Sequence, residues 1–496
     1  MNKTGFFFHE ECLWHSGGNY AFTLPVGGFV QPLASGGLPE NPETKRRFRN
    51  LIEFSGLSKD LNMLSARRAN VDELLRVHTK KYIRDFMSLS ENGGGELGRQ
   101  VPFGPGGFDK ASRSAGLVVS AVECVLNGEL KNAYALSRPP GHHCLPDIPN
   151  GFCLLNNIAI AVRSAQANGI MERVAIIDWD VHHGNGTEAI FYDDPNVLTI
   201  SIHQERNYPL DTGGLRDRGE GKGTGFNLNL PLPPGSGDSS YLEVMKRLVE
   251  PTVDSFKPDL IVVACGFDAS GVDPLSRMLC GAETFKKMTK SVMELANRNC
   301  GGKLVMAHEG GYSEIHVPFC GHAVLEEMSG SLIEVADPLK ARIDGQQPSK
   351  DFNNFVSQNG DSILISDNNW GGASPKENLV VGFNLETALD NRNIIFQLDW
   401  NYSLTNNNIW DGPLSLAELD TKLDTLEDQQ VLDIPLEGVP DPDTYKDIIT
   451  INEFLTPIAP IDPLVMEKNP LRAIINMPSS ALHVRVKGSY TLNNIL

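Results

Sequence analysis

Five short apolar runs set the strongest limit on how this chain folds. They span residues 133–136, 173–177, 197–202, 259–265 and 303–307, and they are rich in Val and Ile without alternating with polar residues. A strand with one face in water alternates, whereas a continuous apolar run fits a strand covered on both faces of a parallel sheet. Residues 111–127, 156–168, 240–256 and 282–299 lie between the runs and have helical character. This β-α rhythm predicts a doubly wound α/β sheet.

Polar residues follow the apolar runs in a consistent way. The first run leads into Arg138-Pro-Pro-Gly-His-His143, with Pro140 and Gly141 just before the histidines. The second leads into Asp178-Trp-Asp-Val-His-His-Gly-Asn-Gly186. The third ends at Ser201-Ile-His203, the fourth at Gly266-Phe-Asp268 and the fifth at His308-Glu-Gly-Gly-Tyr312. Open α/β sheets bind ligands outside the carboxyl ends of their strands. The five endings are therefore expected to converge on one pocket.

The chemistry of those endings is specific. Along a strand alternate residues share a side, so Asp178, Asp180 and His182 are expected to address the same pocket. Two carboxylates and an imidazole suit Zn²⁺, and also Fe²⁺, Co²⁺ or Mn²⁺. Asp268 would complete a three-residue ligand set of Asp180, His182 and Asp268, leaving a position for water and substrate. Taken alone, an Asp after a strand is as often a helix cap. His142 and His143 follow Pro-Pro-Gly, which fixes the backbone, and one of them would act as a general base. Asp178 and Asn185 are candidates to orient these rings. Tyr312 follows a Gly-Gly pair and is a candidate oxyanion donor. Metal-activated water, a His base and a phenol are the parts needed to hydrolyse an amide. No P-loop, dinucleotide fingerprint or Gly-x-Ser-x-Gly elbow occurs.

Charge and composition narrow the partners. The 496 residues carry 62 acidic and 43 basic side chains, a formal charge of −19. Residues 351–496 alone hold 21 acidic against 8 basic. Binding to a nucleic-acid backbone relies on clustered Lys and Arg, so no nucleic-acid partner is expected. No apolar run reaches membrane-spanning length, and the short Phe6–Phe8 run is too small for a secretory core, so a cytoplasmic protein is expected. The eight cysteines form no Cys-x-x-Cys pair and read as buried thiols of a reduced compartment.

With these motifs in order, residues of about 1–345 resemble the histone deacetylase superfamily, in particular its class II branch and the bacterial histone deacetylase-like amidohydrolases. The matching stretches are those above together with Gly151-Phe-Cys153, Gly266-Phe-Asp-Ala269 and Asp273-Pro274. The resemblance implies the arginase-like deacetylase α/β fold, with a central eight-stranded parallel sheet, helices on both faces and a narrow tunnel to zinc. It implies zinc on Asp180, His182 and Asp268, His143 as principal base and acid, and His142 as its electrostatic assistant. It further implies that Asp178 bonds His142, Asn185 backs His143, and Tyr312 polarises the acetyl carbonyl. Phe152 and Tyr208 would line the tunnel, the second more often being Phe. The Gly151 carbonyl would meet the substrate amide, and Pro140 and Leu275 complete the expected substrate-binding set. A K⁺ is implied beside Asp178, Asp180, His182, Ser201 and Ile202. A homo-oligomer, dimer or tetramer, is the expected assembly.

Two positions bear on substrate. Some class II relatives carry His where Tyr312 stands and are nearly inert on acetyl-lysine. The polyamine-specific branch carries Glu seven residues after the last zinc ligand, where this chain has Leu275. The expected function is a zinc-dependent deacetylase acting on acyl-lysine or a related acylated primary amine. An acetylpolyamine amidohydrolase, a two-metal ureohydrolase and a non-catalytic acyl-lysine-binding module are the alternatives. The deacetylase domain is expected over 1–350, a linker over 351–380, and an acidic, β-containing C-terminal module of unassigned function over 381–496. In the tail, Ile394-Tyr402 and His483-Tyr490 read as strands and 414–426 as a helix.

Overall fold

The computed structural model describes residues 4–18, 20–25, 37–98, 101–350 and 352–353, and the strand backbones of 379–389, 394–404 and 482–487. The chain divides into two compact units, Met1–Gly360 and Asp361–Leu496. The first is built on eight parallel strands: β1 (Thr4–Phe7), β2 (Leu61–Leu64), β3 (Asn132–Ala135), β4 (Val174–Asp178), β5 (Val197–Gln204), β6 (Asn227–Leu232), β7 (Leu260–Cys265) and β8 (Leu304–His308). Their order across the sheet is β6-β5-β4-β7-β8-β3-β1-β2. The doubly wound sheet and its eight strands are as expected.

Every residue of β3, β4, β5, β7 and β8 is buried, which is why those strands are predominantly apolar. Strand β2 closes one edge, and its last two residues are exposed. Helices α2 (Gly107–Leu126) and α3 (Asn157–Ala167) pack on each other and build the larger core with Val174, Ile176, Val262 and Val305 of the sheet. Helices α1 (Glu43–Ser55), α4 (Ala282–Cys300) and α5 (Val317–Ser329) form another packed group. The helix expected over 240–256 runs as α, π and α turns from Asp238 to Phe256.

All eight cysteines are free thiols, and seven are buried. Among the described residues, no helix is long and apolar enough to cross a membrane. The second unit contains a three-stranded antiparallel sheet, β9 (Leu379–Leu389), β10 (Ile394–Leu404) and β11 (Leu482–Lys487), in the order β9-β10-β11. Strands β10 and β11 coincide with tail segments readable in the sequence; β9 does not. The expected helix over 414–426 and nearly all of the linker at 351–380 lie outside the described residues.

Candidate active site

Strand β4 ends at Asp178, so Asp180 and His182 are not strand residues, contrary to the alternation expected of them. The chain turns instead, and backbone-to-carboxylate bonds keep the spacing. The N–H of Asp180 donates to Asp178 Oδ1 at 3.0 Å, and that of His182 to Asp180 Oδ1 at 2.9 Å. Asp268 follows β7 by three residues and accepts the Val181 N–H at 2.8 Å. Asp180 and Asp268 are completely buried.

These three residues form one compact donor set. His182 Nδ1 lies 3.1 Å from Asp180 Oδ1 and 3.0 Å from Asp268 Oδ2. One ligand atom from each residue lies within 4.8 Å of the other two. Tetrahedral ligands about 2.0–2.2 Å from a zinc ion stand roughly 3.3 Å apart, so these donors fit one small divalent cation. The Gly310 N–H donates to Asp180 Oδ2 at 2.7 Å and fixes that carboxylate from behind. Gly310 has to be glycine, because a Cβ there would overlap the carboxylates of Asp180 and Asp268. Burial alone would lower the His182 pKa, but the carboxylates of Asp180 and Asp268 raise it to about 10. A metal ion bound at this set would require His182 as the neutral imidazole.

The tandem histidines stand beside this set with their rings 4.0 Å apart. His142 Nδ1 meets Asp178 Oδ2 at 2.8 Å, and His143 Nδ1 meets Asn185 Oδ1 at 2.8 Å. Both Nδ1 atoms are thereby committed as donors, leaving both Nε2 atoms for the pocket. The environments drive the pair apart. Burial opposes charge on His142, but Asp180 and Asp178 hold its pKa well above the ordinary value. Burial, followed by the positive charges of His142 and His182, pushes His143 well below it. The two environments push the pair in opposite directions, His142 toward the charged form and His143 toward the neutral one.

A half-apolar wall completes the pocket. Tyr312, Phe152, Tyr20 and Leu38 form one buried cluster, with Leu275 packed against it. The rings of Phe152 and Tyr312 are 5.8 Å apart. Tyr208 stands edge-on to His143 at 5.1 Å and to His182 at 6.2 Å, and its hydroxyl bonds Asn150. Gly151 lies between them at φ +50°, where a Cβ would run into the His143 ring. Pro140 is buried in the segment that leads to the histidines. The Tyr312 N–H donates to Asp273 Oδ2 at 2.7 Å, so the Gly-Gly-Tyr segment is tied down. Burial, Asp268 and Asp180 all keep the Tyr312 phenol protonated and thus a donor.

One expected contributor goes elsewhere. The third strand ending does not supply this group: His203 lies within β5, bonds Ser201 Oγ at 2.9 Å and the Gly213 carbonyl at 3.0 Å, and packs its ring on His183. Ser201 and Asp178 are register partners on β5 and β4. Three supporting groups escaped the sequence reading: Asp273, the Gly310 N–H, and Glu309, whose pKa burial pushes up to about 7. All sit in motifs the sequence offers, Asp-Pro and Glu-Gly-Gly-Tyr, but each works through a backbone N–H, as acceptor for Asp273 and Glu309 and as donor for Gly310, which leaves no side-chain pattern.

The family profile described as "Histone deacetylase domain" matches residues 38–328. The chain belongs to the histone deacetylase family. It is 53% identical over 356 residues to "Histone deacetylase-like amidohydrolase" from Pseudomonas aeruginosa, covering 72% of this chain and 94% of that protein. It is 38% identical over 333 residues to "Probable deacetylase" from Archaeoglobus fulgidus, covering 66% of this chain and 86% of that one. The solved structure "Crystal Structure of HDA15 HD domain" superposes with a TM-score of 0.62 at 30% identity, over 73% of this chain and 96% of that chain. The eight-stranded sheet is thus the deacetylase fold, and the family is one of metal-dependent deacetylases and amidohydrolases.

Proposed function

We propose that this deacetylase-family protein is a zinc-dependent amidohydrolase that removes acetyl from the ε-amine of lysine or from a related acylated primary amine. The observation that carries this reading is geometric: a tandem histidine pair, its Nδ1 atoms held at 2.8 Å by Asp178 and Asn185, stands beside a buried Asp-His-Asp donor set. Asp180, His182 and Asp268 would hold the zinc, which would supply a Lewis acid to the amide carbonyl and to an attacking water. His143 takes the proton of the attacking water at Nε2 and delivers it to the departing amine. Asn185 holds the ring for both transfers. His142, kept as imidazolium by Asp178, offsets the negative charge that develops. Tyr312 donates its phenolic hydrogen to the oxyanion. Phe152, Tyr208 and Leu275 hold the linear alkyl chain and exclude water, and the Gly151 carbonyl accepts the substrate amide N–H. Under the same reading K⁺ sits beside Asp178, Asp180, His182, Ser201 and Ile202, and the protein assembles as a dimer or tetramer.

Leu275 packs on an apolar cluster. That favours a neutral acyl-lysine chain over a substrate with a second amine. The test is a panel of acetyl-lysine peptides, acetylputrescine and acetylspermidine, with and without chelator. Peptide turnover is expected, abolished by chelation and restored by Zn²⁺. Faster turnover of the acetylpolyamines makes the protein a polyamine enzyme. Zinc-loaded protein that cleaves nothing yet binds a hydroxamate is a binding module.

A further inference from the structure

Glu309 is completely buried one residue past β8, and no step proposed above uses it. Its Oε2 accepts two backbone N–H groups from the loop after β3, Gly141 at 2.6 Å and His142 at 3.1 Å. Its Oε1 has no hydrogen-bond partner. A carboxylate oxygen of Glu309 lies within 4.8 Å of a His142 ring nitrogen and of Cys153 Sγ. A buried carboxylate with no cation bonded to it is costly, so packing alone does not explain it. The two N–H groups it binds would otherwise be buried orphans at the point where the chain sets the direction of both imidazoles. The next residue, Gly310, holds Asp180 through its own N–H at 2.7 Å. Consecutive residues of one strand end therefore grip the histidine loop and the donor set.

We propose that Glu309 is a positioning residue: its Oε2 clamps the backbone of Gly141 and His142 and thereby aims the two imidazoles at the reacting atoms. The role is geometric and needs an acceptor at that point rather than a charge. It rests on the amidohydrolase reading of the site. Glu309→Gln keeps an oxygen within reach of both N–H groups; Glu309→Asp keeps the charge but withdraws the oxygen by one methylene.

The measurements are kcat and KM on an acetyl-lysine peptide, zinc content and hydroxamate affinity for full-length wild type and both variants. Small misplacements of catalytic groups cost about 100-fold. Glu309→Asp is accordingly expected to lose about that factor in kcat, with KM within about threefold and zinc retained. Glu309→Gln is expected to keep a kcat at least about tenfold above the Asp variant. Equal loss in both variants, no loss in either, or a worse Gln variant overturns the proposal. A loss of zinc or of hydroxamate binding in Glu309→Asp overturns it too, since the damage is then not confined to the histidine loop. Wild type inactive on the whole substrate panel sinks the amidohydrolase reading; active wild type with an unimpaired Asp variant sinks only the clamp.

Discussion

At the scale of single residues, environment decides what two adjacent histidines do. His142 faces Asp178 and His143 faces Asn185, and that one difference between a carboxylate and an amide helps keep the first charged and the second neutral. A base acts only when neutral, so activity falls as pH drops through its pKa. The His143 pKa is depressed, which places the acidic limb of kcat/KM below about pH 6.5. Asn185→Asp puts a negative charge beside Nδ1, favours the imidazolium and should move that limb up by about one unit or more. A pH profile of kcat/KM checks this, and an unmoved limb removes His143 from the base role. The histidines, the Asp178-x-Asp-x-His182 spacing and Tyr312 were legible in the sequence because their side chains do the work. Glu309 and Asp273 were not, because each binds backbone N–H groups, and nothing in the sequence marks which peptide a carboxylate will reach.

At the scale of elements, legibility followed burial. The five strands read from the sequence are buried along their whole length. Of the three missed, β6 reads Asn227-Leu-Asn-Leu-Pro-Leu232, with a Pro that suits a sheet edge. Its Asn227 and Asn229 turn inward to share Glu188 Oε2 at 2.7 Å each, so tertiary partners, invisible locally, justify their presence in a strand. Strand β2 is the opposite edge and half exposed; β1 is the exception, buried throughout yet visible in the sequence only as the short Phe6–Phe8 run. The chain between elements also carries stability. Glu40 binds Lys45 at the start of α1 at 3.1 Å and Arg138 beyond β3 at 3.0 Å, with all three side chains about 99% buried. Glu40→Gln would strand two buried cations and is expected to cost about 3–5 kcal/mol. Chemical denaturation at unchanged m-value measures it; a loss below about 1 kcal/mol means the triad does not carry its charges.

At the scale of the whole molecule, every residue of the proposed site and its pocket wall lies between Tyr20 and Tyr312, inside the unit Met1–Gly360. A chain ending at residue 360 is expected to keep kcat/KM within about threefold of full length, since differences that small fall well below the cost of losing one catalytic group. A collapse in the shortened protein would assign the acidic tail a direct part in turnover. The tail was the least legible region because it offers neither long apolar runs nor clustered reactive side chains. The strand order of the first unit has a consequence for biosynthesis. The first six strands to leave the ribosome make two separate ribbons, β3-β1-β2 and β6-β5-β4, and only β7 and β8 join them. Until residue 308 has emerged, a nascent chain exposes the bare inner edges of both ribbons, which are hazards for misassembly. The histidine loop belongs to one ribbon and Asp180 with His182 to the other. A product truncated before residue 308 therefore lacks the sheet that unites the two halves of the centre, and the last strands of this sheet to be made are the ones that bring the chemistry together.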